Sequence, residues 1–128
     1  MSLRLEMLQV ARLAPRMLGD SADLVREFLL KQIHPSGAGV DRDGNPDLYY
    51  TIFAIAGLQA LQAEWPVERV ENYLRSFGSG EELDFVHLGA LARCWAAVGR
   101  EKMPLGVAEE LLGRIESFRS RDGGYDSD

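Results

Sequence analysis

The chain has a single cysteine, Cys94, which leaves it no internal disulfide and no sign of an oxidising compartment. Cations are also short: 14 Lys and Arg stand against 20 Asp and Glu, for a net charge of −6. Nucleic acid and anionic membrane surfaces both require concentrated positive charge, so the balance argues against either partner. No apolar run reaches the ~20 residues of a membrane-spanning helix. The longest stretch without a charge, Leu48 to Ala63, is sixteen residues, and Thr51, Gln59 and Gln62 interrupt it. The amino-terminal MSLRLEMLQVARLAP mixes charged with apolar residues and has no continuous h-region of a secretory signal. A cytoplasmic protein without a membrane span is the expectation. Residues 1–128 suffice for one domain, burying roughly two-thirds of its unfolded surface.

The strict two-residue alternation of a strand is missing as well, and Gly, Pro and polar clusters cut the chain into six segments of helical length. The first, LRLEMLQVARLAPRML, is kinked or ended by Pro15. In SADLVREFLLKQI, Ser21 is a candidate N-cap, and Leu24, Val25, Phe28, Leu29 and Ile33 share one face. PVERVENYLRSF aligns Val67, Val70, Leu74 and Phe77, and PLGVAEELLGRIESF aligns Val107, Leu111, Ile115 and Phe118. Each of these two opens with proline at a first-turn position. All three segments are amphipathic and belong at the surface. The third and fifth differ: DLYYTIFAIAGLQALQAEW has no charge between Asp47 and Glu64, and LDFVHLGALARCWAAVGR has only Arg93 through its middle. A helix apolar on nearly every side must be covered on every side. Buried helices therefore alternate with surface helices, joined by short turns at 78–82 and 99–103.

The segments also resemble one another. A shift of 37 residues lays Asp47 on Asp84 and pairs Leu48 with Phe85, Tyr50 with His87, Ala54 with Leu91 and Leu58 with Trp95. A shift of 41 lays Ser76-Phe77 on Ser117-Phe118, and glycine turns recur as SGAGVDRDG at 36–44 and RDGGYDSD at 121–128. Repetition at this period marks stacked helical hairpins of about 40 residues, of which the chain holds about three.

The glycine turn with its following helix, GAGVDRDGNPDLYYTIFAIAGL, and the closing ESFRSRDGGYD resemble the prenyltransferase and squalene-oxidase repeat over residues 21–128. That repeat occurs in protein prenyltransferase β-subunits and terpenoid cyclases. The resemblance implies an all-α fold, an α/α toroid in which inner and outer helices alternate around an apolar cavity, here as a partial ring. It also implies where the family's chemistry would lie. The prenyltransferase counterpart of DLYYT reads D-x-Y-H-T, with its His a zinc ligand; this chain has Tyr50 there. The family's Asp and Cys ligands, two residues apart, correspond to Asp84-Phe85-Val86, where no cysteine stands. The D-x-D-D acid motif of the cyclases and the thioester motif of related toroids are absent. No cofactor is therefore assigned, with zinc kept as an alternative.

Asp84 and His87 are the catalytic candidates, and Tyr49, Tyr50, Phe53, Phe85, His87 and Trp95 the candidates to line a pocket for an isoprenoid or other apolar molecule. Each has a structural reading beside it. Asp47 and Asp84 are placed as helix N-caps, His87 as a core or cavity histidine, Cys94 as a small apolar residue, and the aromatics as packing within the ring. Asp84 and Cys94 lie about 15 Å apart along one helix, too far for one ion. DRDGN at 41–45 is a Gly/Asn turn rather than a calcium loop, and His34 is an isolated surface histidine. The residues favour a non-catalytic scaffold or apolar-ligand module; the alternative is the catalytic part of an enzyme acting on isoprenoid diphosphates. A partial ring would leave apolar edges exposed, so either the rest of a longer polypeptide or a second copy is expected to complete it, and a two-fold homodimer is the favoured expectation.

Overall fold

The computed structural model describes residues 21–122. The expected helix at 3–18 and the GGYDSD end of the last glycine turn lie outside these residues. Within them are five α-helices, α1 (Ser21–Lys31), α2 (Leu48–Ala60), α3 (Val67–Arg75), α4 (Phe85–Val98) and α5 (Val107–Asp122), with a 3₁₀ turn at Arg100–Lys102. No strand occurs among the described residues; two isolated bridges, Ile33 with Gly39 and Val40 with Pro46, pin the loop after α1. The expected all-α class holds, and among the described residues no helix is long and apolar enough to cross a membrane.

The expected aspartates start the two apolar helices. Asp47 is extended (φ −156°) and its Oδ1 accepts from the Tyr49 amide at 2.7 Å. Asp84 caps α4 by accepting from the His87 amide at 2.8 Å. Each carboxylate satisfies an amide that a helix start leaves without an intrahelical partner. The end of α2 is less ordinary. The Gln62 amide donates to the Gln59 carbonyl and the Ala63 amide to the Leu58 carbonyl, the paired bonds of a Schellman cap. Its left-handed position, usually glycine, is filled by Gln62 at φ 57°.

Burial follows the alternation read from the sequence. Eight of the thirteen residues of α2 are buried, against Val70 and Leu74 alone in α3. The backbone of α2 packs on α1 and α4, while α3 and α5 pack on α4. Leu29, Ile55, Leu58, Leu74, Leu91 and Trp95 form the centre of the core, none more than 1% exposed. Because Asp47 and His87 meet, α2 and α4 run side by side with their N-termini together.

Several details differ from expectation. The apolar face of the second segment splits: Leu29 and Ile33 are buried, but Leu24 and Phe28 are exposed; among the described residues α1 packs on α2 alone, which covers one flank of its apolar stripe. Pro66 occupies the cap position of α3 rather than its first turn. Pro104 lies three residues before α5, separated from it by Gly106 at φ +85°. Arg121 and Asp122, read from the sequence as the start of the last glycine turn, belong to α5.

The loop between α1 and α2 is pressed between helices. A Cβ on Gly37 would fall 1.9 Å from the Arg69 carbonyl oxygen of α3, and one on Gly39 would fall 2.4 Å from the Thr51 Cα of α2. Only glycine allows backbone to approach backbone that closely.

Candidate functional site

The N-terminal ends of α2 and α4 meet at His87. Its Nδ1 lies 2.8 Å from Asp84 Oδ1, and its Nε2 lies 3.2 Å from Asp47 Oδ2. The two aspartates that cap the two helices thus grip one imidazole from opposite edges. A neutral imidazole has one N–H and can donate to one carboxylate, whereas imidazolium donates to both. Burial disfavours the charged ring, but hydrogen bonds and charge from Asp84 and then Asp47 outweigh it and raise His87 above its ordinary value. The backbone and ring hydrogen bonds from His87 hold the Asp84 carboxyl below the usual range.

Beside this bridge lies a polar contact that the sequence did not single out. Thr51, fully buried, accepts the Gly39 amide at 2.8 Å and donates to the Asp47 carbonyl at 2.7 Å. Nearby on α3, burial and then the Asp47 charge push the Tyr73 phenol up to about 12. Its ring stands edge-on to Phe77, with centroids 5.1 Å apart. One residue type carried a signal: a threonine four positions after a capping aspartate, inside an otherwise apolar run, needs a partner once buried.

The candidate aromatics do not share one pocket. Tyr49 and Phe85, with Ile52, Val86, Arg93 and Ile115, line a concavity of about 280 Å³ between α2, α4 and α5. Tyr50 and Phe53 line another of about 390 Å³ with Phe28, Asp41 and Arg42. Trp95 forms the wall of a third, about 240 Å³, with Met103 and Leu111. Some of the rings also pack on one another, Tyr49 edge-on to Tyr50 at 5.7 Å and Phe85 against Phe118 at 5.6 Å. Trp95 is buried with the Arg75 guanidinium 5.9 Å from its ring centre, and its indole N–H has no partner.

The donor set does not fit zinc. His87 offers its two nitrogens to different carboxylates on opposite sides of the ring. Cys94 is buried, and burial pushes its thiol up to about 12, so no thiolate is at hand. Among the described residues no group of three His, Cys, Asp or Glu side chains is placed to hold a metal ion. The DRDGN turn is closed by Asp41, whose Oδ1 accepts the Asp43 and Asn45 amides. His34 is exposed but not isolated: its Nδ1 lies 3.0 Å from the Ser36 hydroxyl. Compared with protein-family models, curated proteins and solved structures, the chain matches none of them.

Proposed function

We propose that this chain is a helical-repeat module of the α/α-toroid type, like the prenyltransferase and squalene-oxidase repeat, and that it serves as a scaffold or binder of an apolar ligand rather than as a zinc enzyme. The observation that carries the reading is the pairing of α2 with α4. These apolar helices begin 37 residues apart on equivalent aspartates, lie side by side with N-termini together, and are flanked by the amphipathic α1, α3 and α5. The concavity between them supports a ligand role. It is walled by Tyr49, Ile52, Phe85 and Val86 with Arg93 as its cation, and its 280 Å³ approaches the ~300 Å³ at which small-molecule sites begin. An apolar chain with an anionic head, such as an isoprenoid diphosphate, matches that lining. Catalysis by His87 would need a ring nitrogen free to move a proton, and both face carboxylates; this supports the non-catalytic reading.

Calorimetry with geranylgeranyl diphosphate and with uncharged geranylgeraniol tests the ligand. Saturable heat, stronger for the diphosphate and weakened in Arg93→Ala, is the expected result. No heat with either compound would remove the ligand and leave only the scaffold. The same reading takes two copies to complete a ring, consistent with the exposed Leu24 and Phe28 on α1 and Leu112 on α5. Native mass spectrometry at tens of micromolar reports the subunit count, and a monomer would remove the ring.

A further inference from the structure

The His87 bridge and the concavity lie at the same end of the same pair of helices. Asp47 is two residues from Tyr49, and His87 is two residues from Phe85 and one from Val86, so the residues that tie the helices together are chain neighbours of those that wall the cavity. We infer that His87 is a proton-controlled tie that sets the width of the groove between α2 and α4, so that protonation of this one imidazole tunes ligand affinity in that groove. This rests on the ligand-binding reading above.

Geometry makes the tie depend on charge. Asp47 Oδ1 is committed to the Tyr49 amide, so its Oδ2 is the atom that reaches across to α4. Asp84 Oδ1 accepts both the His87 amide and the ring Nδ1. With imidazolium between them, both carboxylates are answered. When the ring loses a proton, the shorter contact within α4 keeps the remaining N–H, and Nε2 turns a lone pair toward the Asp47 carboxylate. The cross-helix bond then becomes a repulsion, and it is the one that joins two repeat units.

The charged groups around His87 leave it as the group that titrates near neutrality. The charges acting on it are Asp84 from its own helix and Asp47 from α2. From α3, Tyr73 stays neutral until about pH 12, as does the Cys94 thiol on α4 itself. Arg93 on α4 lines the groove. From α5, Arg114 lies 3.8 Å from Glu81. His87 is raised in the folded chain, so the tie is complete below the ordinary imidazole value of about 6.5 and is lost as pH rises through the raised one. By reciprocity, a ligand that prefers the closed groove raises the imidazole value further.

The test uses the full chain and 8-anilinonaphthalene-1-sulfonate, whose sulfonate keeps its charge across the range. Its affinity, followed by fluorescence from pH 5.5 to 9, is expected to fall roughly tenfold across the His87 titration, the scale of one lost charge-assisted hydrogen bond. Two variants spare the helix starts. His87→Gln places a favoured residue at the third helical position, and Asp47→Asn keeps a capping side chain while removing the charge that faces the ring. Both are expected to flatten the profile. The His87 Cε1 proton, followed by NMR, is expected to titrate at a higher pH in the native chain than in Asp47→Asn. A native profile that parallels that of His87→Gln would overturn the tie while leaving ligand binding intact. If the dye does not bind, hydrogen exchange of the Tyr49 amide decides separately: protection independent of pH, after correction for intrinsic exchange, overturns the tie.

Discussion

Replacing Thr51 with valine exchanges one hydroxyl for a methyl of similar size and tests whether the buried polar contact holds α2 to the loop before it. Thr51 makes two bonds below 3 Å, accepting from Gly39 and donating to the Asp47 carbonyl. The Asp47 carbonyl keeps a partner, because the Thr51 amide also donates to it. The buried Gly39 amide has the hydroxyl as its acceptor, so its loss leaves a donor unsatisfied at about 1–3 kcal/mol. Losing the Asp47 bond costs about 1 kcal/mol more, and the added methyl returns about 0.8 kcal/mol through burial. The expected destabilisation is about 2 kcal/mol, a fall in Tm of roughly 6–10 °C for a chain of this size. Thermal unfolding by circular dichroism measures it, and hydrogen exchange of the Gly39 amide locates it. Thr51→Ser keeps both bonds and should lose less than half as much. A valine variant within about 0.5 kcal/mol of the native chain, or one with unchanged Gly39 protection, would refute the reasoning.

Gln62→Gly should raise stability by about 0.5–1 kcal/mol, seen as a higher midpoint in urea, because it relieves a left-handed residue in the cap of α2. Gly37→Ala should cost about 3 kcal/mol or more, since its Cβ meets the Arg69 carbonyl; Gly44→Ala, equally left-handed but in open space, should cost only about 1 kcal/mol in the same denaturation assay. Absorbance titration should show a tyrosine ionising near pH 12, and Tyr73→Phe should remove that step. Stability itself should follow the bridge. The Asp84 contribution, from a lowered carboxyl, is lost as pH falls below about 3.8, and the His87 contribution is lost as pH rises above about 6.5; denaturation midpoints of His87→Gln across that range should lack the alkaline decline.

The helices were legible because their signals are local. Asp47 and Asp84 stand one residue before apolar helices and do cap them, and the near absence of charge marked the two helices that carry most of the core, although neither is covered on every side: Tyr49, Tyr50 and Val86 are exposed near their N-terminal ends. The shift of 37 residues even matched Tyr50 with His87, but not what His87 touches: a contact across forty residues depends on how two helices are set side by side, which no spacing within either encodes. The aromatics showed the same limit. Their positions suggested one lined pocket, yet Tyr49 and Tyr50, adjacent in sequence, differ by about 100° around α2 and face different concavities. Thr51 was read as an interruption of an apolar run when it is the point where the loop and the helix cap converge. Its role came from burial, which composition does not reveal.

The tight seating of glycine also bears on where this molecule can grow. Both connections that arrive at the N-terminal ends of α2 and α4 are wedged: Gly37 and Gly39 against helix backbone, and Gly80 with its would-be Cβ 2.7 Å from the Leu88 side chain. The connection that leaves the far end of α4 is different, with Glu101 and Lys102 at the surface and Leu105 wholly outside. A foreign segment spliced beside Leu105 would displace no packed atoms, whereas one at Gly37 would part α2 from α3. Variation in length, whether by drift or by engineering, is therefore open at the connection that leaves the C-terminal end of α4 and closed at the two that arrive at the N-terminal ends of α2 and α4.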